Sequence, residues 1–520
     1  MNRSHQDEAL RASVAAHAQT GTELARGAIV NVIAILAANL RGIFTFLIAR
    51  LLGHSALGTF GLAWSTTDLL SKVGTFGMDT STIALVSARQ ARGDVAGSRW
   101  LLRRAVLFGL LFSTAAAVFG ITAFQFIGEH IGQSPELVRS TSLLLLALPG
   151  IALYRISNGV SRGMKVMKHD LFSKGFAETL VTIAMFLVAL AVGLRDLAPV
   201  IAVLFGTGAG GLTAFTLARK LFVERNAGSP GSDQPHLLRF SAPIALYSLL
   251  NMLIMRMDVL LLGLIGPAAG VSLATVGIFV ASVEIAGGMR KVRQAFDPMF
   301  TPIIARQSAA GDQPAMEQSF AQLGRWVLAA QLPMMTLLCL SGGVVLDIFG
   351  PGFDRGALWV ALLAIAHATN SFVGLAETVI MVRRPKWNLV NSAIAATLQL
   401  GVSLMLIPRL GATGAALGMV VAYLTQGVLR YCELRFLFAW HWPWRAFARP
   451  IVACLAATLL ALPLRILILG WRGEVLAGLT FLALYLTAWR LIGLEESDRT
   501  VLQQLWKKKR ARSEDEDDVP

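Results

Sequence analysis

The sequence predicts an all-α membrane protein with about fourteen transmembrane helices. Of its 520 residues, 55% are hydrophobic and only 15% are charged, and the mean hydropathy is +0.62. Long apolar runs recur from about Gly27 to Ile492, without the two-residue alternation that is typical of β-barrels. About 20 apolar residues in a helix cross a hydrocarbon layer of roughly 30 Å and satisfy their own backbone hydrogen bonds there. Each run is therefore predicted to be a transmembrane helix.

The predicted spans, in chain order, are 27–50, 56–78, 104–127, 140–162, 171–193, 198–222, 240–265, 268–289, 326–349, 357–381, 388–408, 413–438, 448–469 and 474–493. Residues 1–26 are polar and alanine-containing, and they lack a short apolar core followed by a small-residue cleavage site. They are not expected to form a signal peptide, so the first helix is expected to be retained.

Positive charges are concentrated in every second loop between the spans. The cation-rich segments are Arg89 to Arg104, Arg162 to Lys174, Arg219 to Arg225, Arg290 to Arg306, Arg383 to Lys386, Arg435 to Arg449 and Lys507 to Arg510. By the positive-inside rule, both termini are predicted to be cytoplasmic. The same distribution accounts for the net charge of +15 without a nucleic-acid partner.

The chain also contains an internal repeat. Ser87-Ala-Arg-Gln-Ala-Arg-Gly-Asp94 follows the second span, and Ala305-Arg-Gln-Ser-Ala-Ala-Gly-Asp312 follows the eighth. Gly58-Thr-Phe60 and Gly277-Ile-Phe279 precede them at matching positions. With six helices in each unit, the second copy starts in the same orientation as the first, which predicts a parallel repeat about an axis along the membrane normal.

The repeat and one Gly-, Pro- and Ser-rich break, Glu224 to His236, define the predicted organisation. It consists of a cytoplasmic tail (1–26), an N-terminal six-helix lobe (27–223), a cytoplasmic linker (224–236), a C-terminal six-helix lobe (237–438), an appended helix pair (446–493) and a charged cytoplasmic tail (494–520).

Ionisable side chains inside the spans are the best indication of a functional site, since each costs roughly 2.5–3.5 kcal/mol at the bilayer centre on insertion scales. They are expected to face an aqueous cavity or one another. The predicted cavity residues are Arg41, Asp68, Lys72, Arg155, Asn158, Arg256, Asp258, Glu284, Arg290, Lys291, Arg293 and Glu377. Cations outnumber acids in this set, which favours an anionic substrate.

Several of these residues have a purely structural alternative. Asp68 and Lys72 lie one helical turn apart and are compatible with a local ion pair. Arg256 and Asp258 do not share a helix face, so Arg256 is expected to find its partner on another helix. Arg155 and the cations from Arg290 to Arg293 are equally compatible with snorkelling to the cytoplasmic interface.

Other features favour structural roles. His367 is predicted to be a packed interior histidine, and Cys339, Cys432 and Cys454 are predicted to be buried inert thiols, because they lie far apart in or beside apolar spans. The glycine-rich stretch Gly206 to Gly211 lies inside a span and predicts close helix packing rather than nucleotide binding. The chain has no HExxH, GxSxG or Walker-type motif, and no catalytic or metal-ligating set is predicted.

Two stretches carry a family resemblance. The first is Ala49-Arg-Leu-Leu-Gly53, followed by Leu57-Gly-Thr-Phe-Gly-Leu-Ala63, Phe76-Gly-Met78 and Gly93-Asp94. The second is Leu404-Met-Leu-Ile-Pro-Arg-Leu-Gly-Ala-Thr-Gly-Ala-Ala-Leu-Gly418. Over roughly 27–440 the chain resembles the polysaccharide-export flippases (Wzx-like), a branch of the multidrug, oligosaccharidyl-lipid and polysaccharide exporter superfamily.

The resemblance implies two six-helix lobes in a V around a central cavity, with two further C-terminal helices. It implies alternating-access transfer of a polyprenyl-pyrophosphate-linked oligosaccharide across the bacterial inner membrane, for exopolysaccharide, O-antigen of lipopolysaccharide or another envelope glycan. The implied partners are the lipid-linked oligosaccharide, membrane lipids, a glycan polymerase and a chain-length regulator, and no cofactor is implied.

Two other functions are compatible with the sequence. One is a cation-coupled exporter of drugs or small molecules with the same fold, and the other is a non-transporting partner of a glycan assembly complex. The energy source is also open. Asp68, Asp258, Glu284 and Glu377 are candidate sites for H⁺ or Na⁺ coupling, whereas the membrane potential alone would move an anionic head group outward.

Overall fold

The computed structural model describes residues 40–131, 133–222 and 236–493. Among them, 13 helical runs are long and apolar enough to cross a membrane. The first run, Gly42–Ala91, is interrupted by a non-helical residue, Gly53, whose φ is 83°. Counted as two spans, this run brings the total to fourteen. The predicted helical class and number of spans are confirmed.

Several predicted segments lie outside the described residues. They are the tail 1–26, the beginning of the first span up to residue 39, most of the linker (224–235) and the tail 494–520. The assignment of these segments stays a prediction.

The N-terminal half, residues 40–222, contains α1 (Leu40–Thr75), α2 (Met78–Ala91), α3 (Val95–Ile131), α4 (Pro135–Leu145), α5 (Leu148–Gly163), α6 (Lys168–Ala191) and α7 (Ala198–Lys220). α4 and α5 form one span that breaks just before Pro149, which stands in the first turn of α5. α6 includes a π-helical segment, Leu171–Glu178, in which the turns are wider than in an α-helix.

The rest of the described chain contains α8 (Leu237–Ile265), α9 (Leu273–Gly287), α10 (Arg290–Ala309), α11 (Gln313–Asp347), α12 (Ala357–Arg383), α13 (Pro385–Leu410), α14 (Ala412–Cys432), α15 (Trp444–Leu467) and α16 (Trp471–Ala488). Helices α8 to α14 form the C-terminal half, and α15 and α16 are the appended pair.

Several helices extend beyond the apolar spans at the predicted cytoplasmic end. The second predicted span ends at residue 78, but after a break at Phe76 and Gly77 the chain continues as α2 to Ala91. The eighth is predicted to end at 289 and continues as α10 to Ala309. Hydropathy identifies only the apolar part of a helix that lies in the hydrocarbon layer. It does not detect polar extensions of the same helix.

The repeated octapeptides form the same corner in both halves. Gly93 and Gly311 each end a helix in a left-handed conformation, with φ of 70° and 71°. The next residue then caps the following helix. Asp94 accepts a hydrogen bond from the amide of Gly97 at 2.7 Å, and Asp312 accepts one from the equivalent amide of its own helix at 3.0 Å. The sequence repeat therefore encodes a repeated structure.

The two halves meet where α1 crosses α9, with their backbones in contact at Gly58 and Gly277. A Cβ on either glycine would lie 3.0 Å from the amide nitrogen of the other. It would also overlap the carbonyl oxygen of the residue one turn earlier on the facing helix, Leu273 or His54. This reciprocity is what a pseudo-two-fold axis between equivalent positions produces. Only residues without a side chain allow so close an approach.

Further contacts close the same end of the molecule, which is the predicted outer end. The ring of His54 is hydrogen-bonded to the carbonyl oxygen of Pro351 across the halves, with a nitrogen–oxygen distance of 2.8 Å. The rings of Phe46 and Phe349 pack with their centroids 5.9 Å apart. Space between the halves therefore lies on the other side of the glycine crossing, toward the predicted cytoplasmic end.

The glycine-rich stretch in α7 packs against its neighbours, as predicted. A Cβ at Gly206 would meet the Thr182 side chain and the carbonyl oxygen of Glu178 in α6. A Cβ at Gly211 would lie 2.9 Å from the carbonyl oxygen of Gly150 in α5. The small residues thus hold three helices of the N-terminal half close together.

The appended pair docks onto α11 through a buried carboxylate. Glu474 accepts hydrogen bonds from the amide of Val344 and from Arg465, both at 2.8 Å. Ser341, the one non-helical residue reported within α11, donates to the Glu474 carbonyl oxygen at 2.7 Å. The polar groups at the break in α11 therefore form hydrogen bonds with polar groups of α16.

We expect Gly58→Ala to lower the thermal unfolding midpoint of the purified protein, because the added methyl group overlaps backbone atoms of α9, and overpacking costs about 1–3 kcal/mol. Gly208→Ala in α7 is the matched control. Nothing lies within 4 Å of a Cβ at Gly208, so this variant should be unchanged or slightly more stable. Equal midpoints for the two variants would contradict the packing role of Gly58.

Candidate functional site

A cavity of about 480 Å³ lies between the two halves, below the glycine crossing. Its walls come from α1, α5, α6, α8, α9 and α10. Five cations line it, namely Arg155, Lys174, Arg256, Arg290 and Lys291. Three acids line it, namely Asp68, Glu178 and Glu284. The described wall is therefore net positive.

A shared carboxylate links the halves at the cavity wall. Asp68 on α1 accepts a hydrogen bond from Arg155 on α5 at 2.7 Å and another from Arg256 on α8 at 2.9 Å. Arg155 also donates to the Ser71 hydroxyl at 2.9 Å. Arg256 thus has the cross-helix partner that its spacing from Asp258 predicted. An ion pair this enclosed makes each partner costly to remove alone.

The local pair between Asp68 and Lys72 is not formed, so this structural alternative is wrong. Lys72 pairs with Asp79 at 2.7 Å, beyond the helix break at Phe76 and Gly77. The break turns α2 so that Asp79 approaches Lys72, while Asp68 is occupied by two arginines. Lys72 does not line the cavity.

Three cavity cations have no carboxylate partner among the described residues. Lys174 is exposed at the wall, and Arg290 and Lys291 are half-buried. Arg290 donates to the carbonyl oxygen of Gly287 and to the sulfur of Met255, both at 3.3 Å. The ammonium group of Lys291 is repelled by the positive charges of Arg290 and Lys174. The negative charge of Glu284 attracts it. Such a cluster attracts an anion.

The π-helical segment of α6 supplies two of the cavity residues. Lys174 and Glu178 lie within Leu171–Glu178, and both line the wall. Neither residue was predicted from the sequence, because Lys174 ends the cation-rich segment after the fourth predicted span and Glu178 lies close to that segment. Their position near the start of the fifth predicted span, one turn apart, was the signal available.

Aromatic side chains form another part of the cavity wall. Phe44, Phe60, Trp64 and Tyr154 line the cavity. The rings of Phe44 and Phe60 pack edge to face, with centroids 5.4 Å apart. The cavity wall therefore combines charged and aromatic side chains.

Two predicted residues belong instead to a second charged cluster inside the C-terminal half. Glu377 on α12 accepts from Arg293 at 3.3 Å and from Arg430 on α14 at 3.0 Å, and it also accepts from the Tyr247 hydroxyl. Arg293 lies 3.5 Å from Asp297 as well. None of these residues lines the cavity. Arg430 was missed, although it is a charged residue inside a predicted span.

Two more predicted residues, Asn158 and Asp258, do not line the described cavity wall. Asn158 donates to Asp170 and Ser173 at 2.8 and 2.9 Å, which ties α5 to the beginning of α6. Asp258 is fully buried and accepts from the amide of Val259 at 2.8 Å. The side chain of Arg41 lies outside the described residues.

Other expectations can be compared with the structure. Arg155 and Arg293 do not snorkel, since their guanidinium groups are bonded to carboxylates inside the protein. His367 is an interior histidine, with 1% of its surface exposed. The prediction of buried thiols holds for Cys454 but is wrong for Cys339, which faces outward from α11. An apolar span does not fix which helix face is buried.

The sequence of residues 24–287 matches the model of a family described as polysaccharide biosynthesis protein. The match covers half of the chain and includes the walls that α1, α5, α6, α8 and α9 contribute to the cavity. The chain belongs to this family. Family membership and the number of spans together identify it as a multi-pass membrane protein of polysaccharide biosynthesis. No curated protein matches the chain.

Solved structures with the same fold include transporters of one superfamily. An inward-facing multidrug resistance MATE family transporter of the MOP superfamily aligns with a TM-score of 0.67 and 15% identity, over 77% of this chain and 94% of that one. The lipid II flippase MurJ in an inward closed conformation aligns with a TM-score of 0.64 and 14% identity, over 88% and 98% of the two chains.

A third structure is a MOP superfamily transporter from Pyrococcus furiosus, described as having a binding pocket of reverse polarity. It aligns with a TM-score of 0.57 and 14% identity, over 81% of this chain and 96% of that one. At these identities the similarity shows the fold alone. The polarity of the cavity in this family member must therefore be taken from its own residues.

We expect Asp68→Asn to destabilise the protein by about 3–5 kcal/mol, because it leaves two enclosed guanidinium groups without their carboxylate. Adding Arg256→Gln should recover part of this loss, as measured by thermal unfolding of the purified single and double variants.

Lys72→Gln provides the internal control for these couplings. The loss of stability that Lys72→Gln causes should be non-additive with the loss caused by Asp79→Asn, since Lys72 pairs with Asp79. It should be additive with the loss caused by Asp68→Asn. Coupling of Lys72 to Asp68 instead would contradict the observed pairing.

Proposed function

We propose that this protein transfers a polyprenyl-pyrophosphate-linked oligosaccharide across the bacterial inner membrane for exopolysaccharide, O-antigen or other envelope glycan biosynthesis, with both termini cytoplasmic. The observation that carries the proposal is the cluster of Lys174, Arg290 and Lys291 at the cavity wall, without carboxylate partners among the described residues. A pyrophosphate offers several negative charges and strong hydrogen-bond acceptors to such a cluster. Membership in a polysaccharide biosynthesis family supports a glycan-bearing substrate.

The cluster is built from both halves of the protein. Lys174 belongs to α6 of the N-terminal half, while Arg290 and Lys291 begin α10 of the C-terminal half. An anion bound among them contacts both halves at once. Its binding free energy therefore differs between a conformation that brings α6 and α10 together and one that separates them, which is the differential binding that alternating access requires.

The two arginines at Asp68 have a different role in this proposal. Arg155 and Arg256 are already neutralised in part by the carboxylate they share. They hold the halves together at the wall without a substrate. Lys174, Arg290 and Lys291, which have no carboxylate partner among the described residues, are then the anion site. The rings of Phe60, Trp64 and Tyr154 also line the cavity, and their flat apolar faces suit sugar rings.

We assign no catalytic role to the cavity residues, because their charges are accounted for by ion pairing and anion binding. A glycan polymerase and a chain-length regulator are the proposed partners on the product side. They would consume the transferred oligosaccharide.

We expect Lys174→Gln and Lys291→Gln each to weaken binding of polyprenyl pyrophosphate about ten- to a hundredfold, because each removes a charged hydrogen bond worth about 1.5–3 kcal/mol. Binding is measured on the protein in nanodiscs, with polyprenol as the ligand lacking phosphate. Polymer export in cells should fall with the affinity while expression is unchanged.

Lys168→Gln is the matched control, since Lys168 is exposed on the same helix and does not line the cavity. Normal export from both cavity variants would contradict the proposed function and would favour a non-transporting role in glycan assembly. Drug efflux and resistance on expression, without affinity for the pyrophosphate, would favour a drug exporter instead.

We propose the membrane potential as the energy source. Two of the four candidate coupling carboxylates, Asp68 and Glu377, are each bonded to two arginines. A potential that is negative inside favours outward movement of an anion by about 2.3 kcal/mol per charge per 100 mV. Coupling to H⁺ or Na⁺ would instead use Asp258 or Glu284, for which no arginine bond is reported among the described residues.

We expect an imposed potassium diffusion potential to accelerate transfer in proteoliposomes, whereas a pH or Na⁺ gradient of equal size should not. Asp258→Asn should leave the potential-driven rate unchanged. A rate that follows the pH or Na⁺ gradient, and that Asp258→Asn abolishes, would overturn the proposed energy source but not the substrate.

A further inference from the structure

A second cavity, separate from the one between the halves, lies where the beginning of α3 meets the end of α7. It has a volume of about 210 Å³ and shares no lining residue with the larger cavity. We call it the α3–α7 groove. It is lined by Arg99, Leu102, Arg103, Phe215, Arg219 and Phe222.

Three arginines surround the groove. Arg99 and Arg103 are one turn apart on the same face of α3, and Arg219 is in the last turn of α7. All three are exposed, and none of them forms an ion pair or a side-chain hydrogen bond with another described residue. Guanidinium groups bind phosphate oxygens in a planar, two-pronged geometry, so an unpaired set of them suits a phosphate group.

The floor of the groove is apolar. Leu102 and Phe222 are 3% and 2% exposed, and Phe215 is half-buried beside them. Exposed leucines continue the same helix faces away from the arginines. Leu107 follows Arg103 by one turn, and Leu212 precedes Arg219 by two turns, and they are 57% and 62% exposed. A ligand at the groove therefore meets charge at one end and apolar surface at the other.

The groove lies at the predicted cytoplasmic end of the helices, where the cation-rich loops are. An anionic lipid head group sits at this depth in a bilayer, and its acyl chains extend toward the bilayer centre along the helix surfaces. Basic pockets between transmembrane helices on this side bind anionic head groups. The position of the groove, its positive charge and the apolar surface that continues from it are all those expected of a site for an anionic lipid.

We infer that the α3–α7 groove binds one anionic phospholipid of the surrounding membrane. The lipid phosphate contacts Arg99, Arg103 and Arg219, and the acyl chains lie along the exposed leucines of α3 and α7. This assignment does not depend on what the larger cavity transports.

The groove also adjoins a junction between the halves. Its floor residues Leu102 and Phe222 belong to the same apolar cluster as Met78 and Leu237, the first residues of α2 and α8. Next to Met78, a Cβ at Gly77 would lie 2.7 Å from the backbone nitrogen of Ala245 in α8. A lipid that fills the groove therefore stabilises the packing on which this junction rests.

The test compares lipid binding to the delipidated full-length protein in a neutral detergent, by native mass spectrometry and by thermal unfolding. The probes are phosphatidylglycerol, phosphatidylcholine and inorganic phosphate. The variant is the triple substitution Arg99→Gln, Arg103→Gln and Arg219→Gln. The control is Arg306→Gln, Arg384→Gln and Arg435→Gln, which removes the same charge from exposed positions outside the groove.

Wild type and control should bind phosphatidylglycerol in preference to phosphatidylcholine and should unfold at a higher temperature with it. The groove variant should lose about a hundredfold in affinity, since each basic residue near an anionic head group contributes roughly fivefold. Equal loss in the control would assign the effect to overall charge and overturn the proposal. Stabilisation by inorganic phosphate alone would overturn the lipid as occupant, and unchanged binding by the groove variant would overturn the site.

Discussion

The close backbone contact between Gly58 and Gly277 is the constraint on which the rest of the structure depends. It brings α1 and α9 together at the predicted outer end, so the space between the halves is left on the other side. A side chain at either glycine would separate the helices and displace everything that α1 and α9 carry toward the cavity. The contact is also reciprocal, which relates the two halves by symmetry at their closest point. Two residues without side chains thus set the geometry of the whole interface.

The charged side chains between the halves divide into paired and unpaired groups. Asp68 joins Arg155 and Arg256 across the halves, whereas Lys174, Arg290 and Lys291 form no ion pair with a carboxylate among the described residues. The separate cluster at Glu377 satisfies its arginines within one half. Cations that are paired stabilise the architecture, and cations that are not paired are available to a ligand. Whether a cation is paired or available depends on where the few carboxylates lie. The positions of the arginines and lysines alone do not show it.

The helical class, the number of spans and the repeat were readable from the sequence, because hydropathy and the glycine–aspartate corners are local signals. The cavity set was only partly readable. Asp68, Arg155, Arg256, Glu284, Arg290 and Lys291 line the cavity, but Lys72, Asn158, Asp258, Arg293 and Glu377 do not. Which face of a helix a charge occupies depends on breaks such as the one at Phe76, which hydropathy does not register. Lys174 was missed for a different reason, because it ends a cation-rich segment at the start of the fifth predicted span and resembles the loop cations before it.

The π-helical segment of α6 bears on how related cavities diverge. A wide turn holds about one residue more than an α-helical turn, and each residue of an α-helix rotates the chain by about 100°. A single insertion or deletion near Leu171–Glu178 therefore exchanges Lys174 and Glu178 for their neighbours at the wall. Cavity chemistry in such proteins can change through helix length, with no substitution at a lining position. Alignments that compare the cavity column by column would overlook a change of that kind.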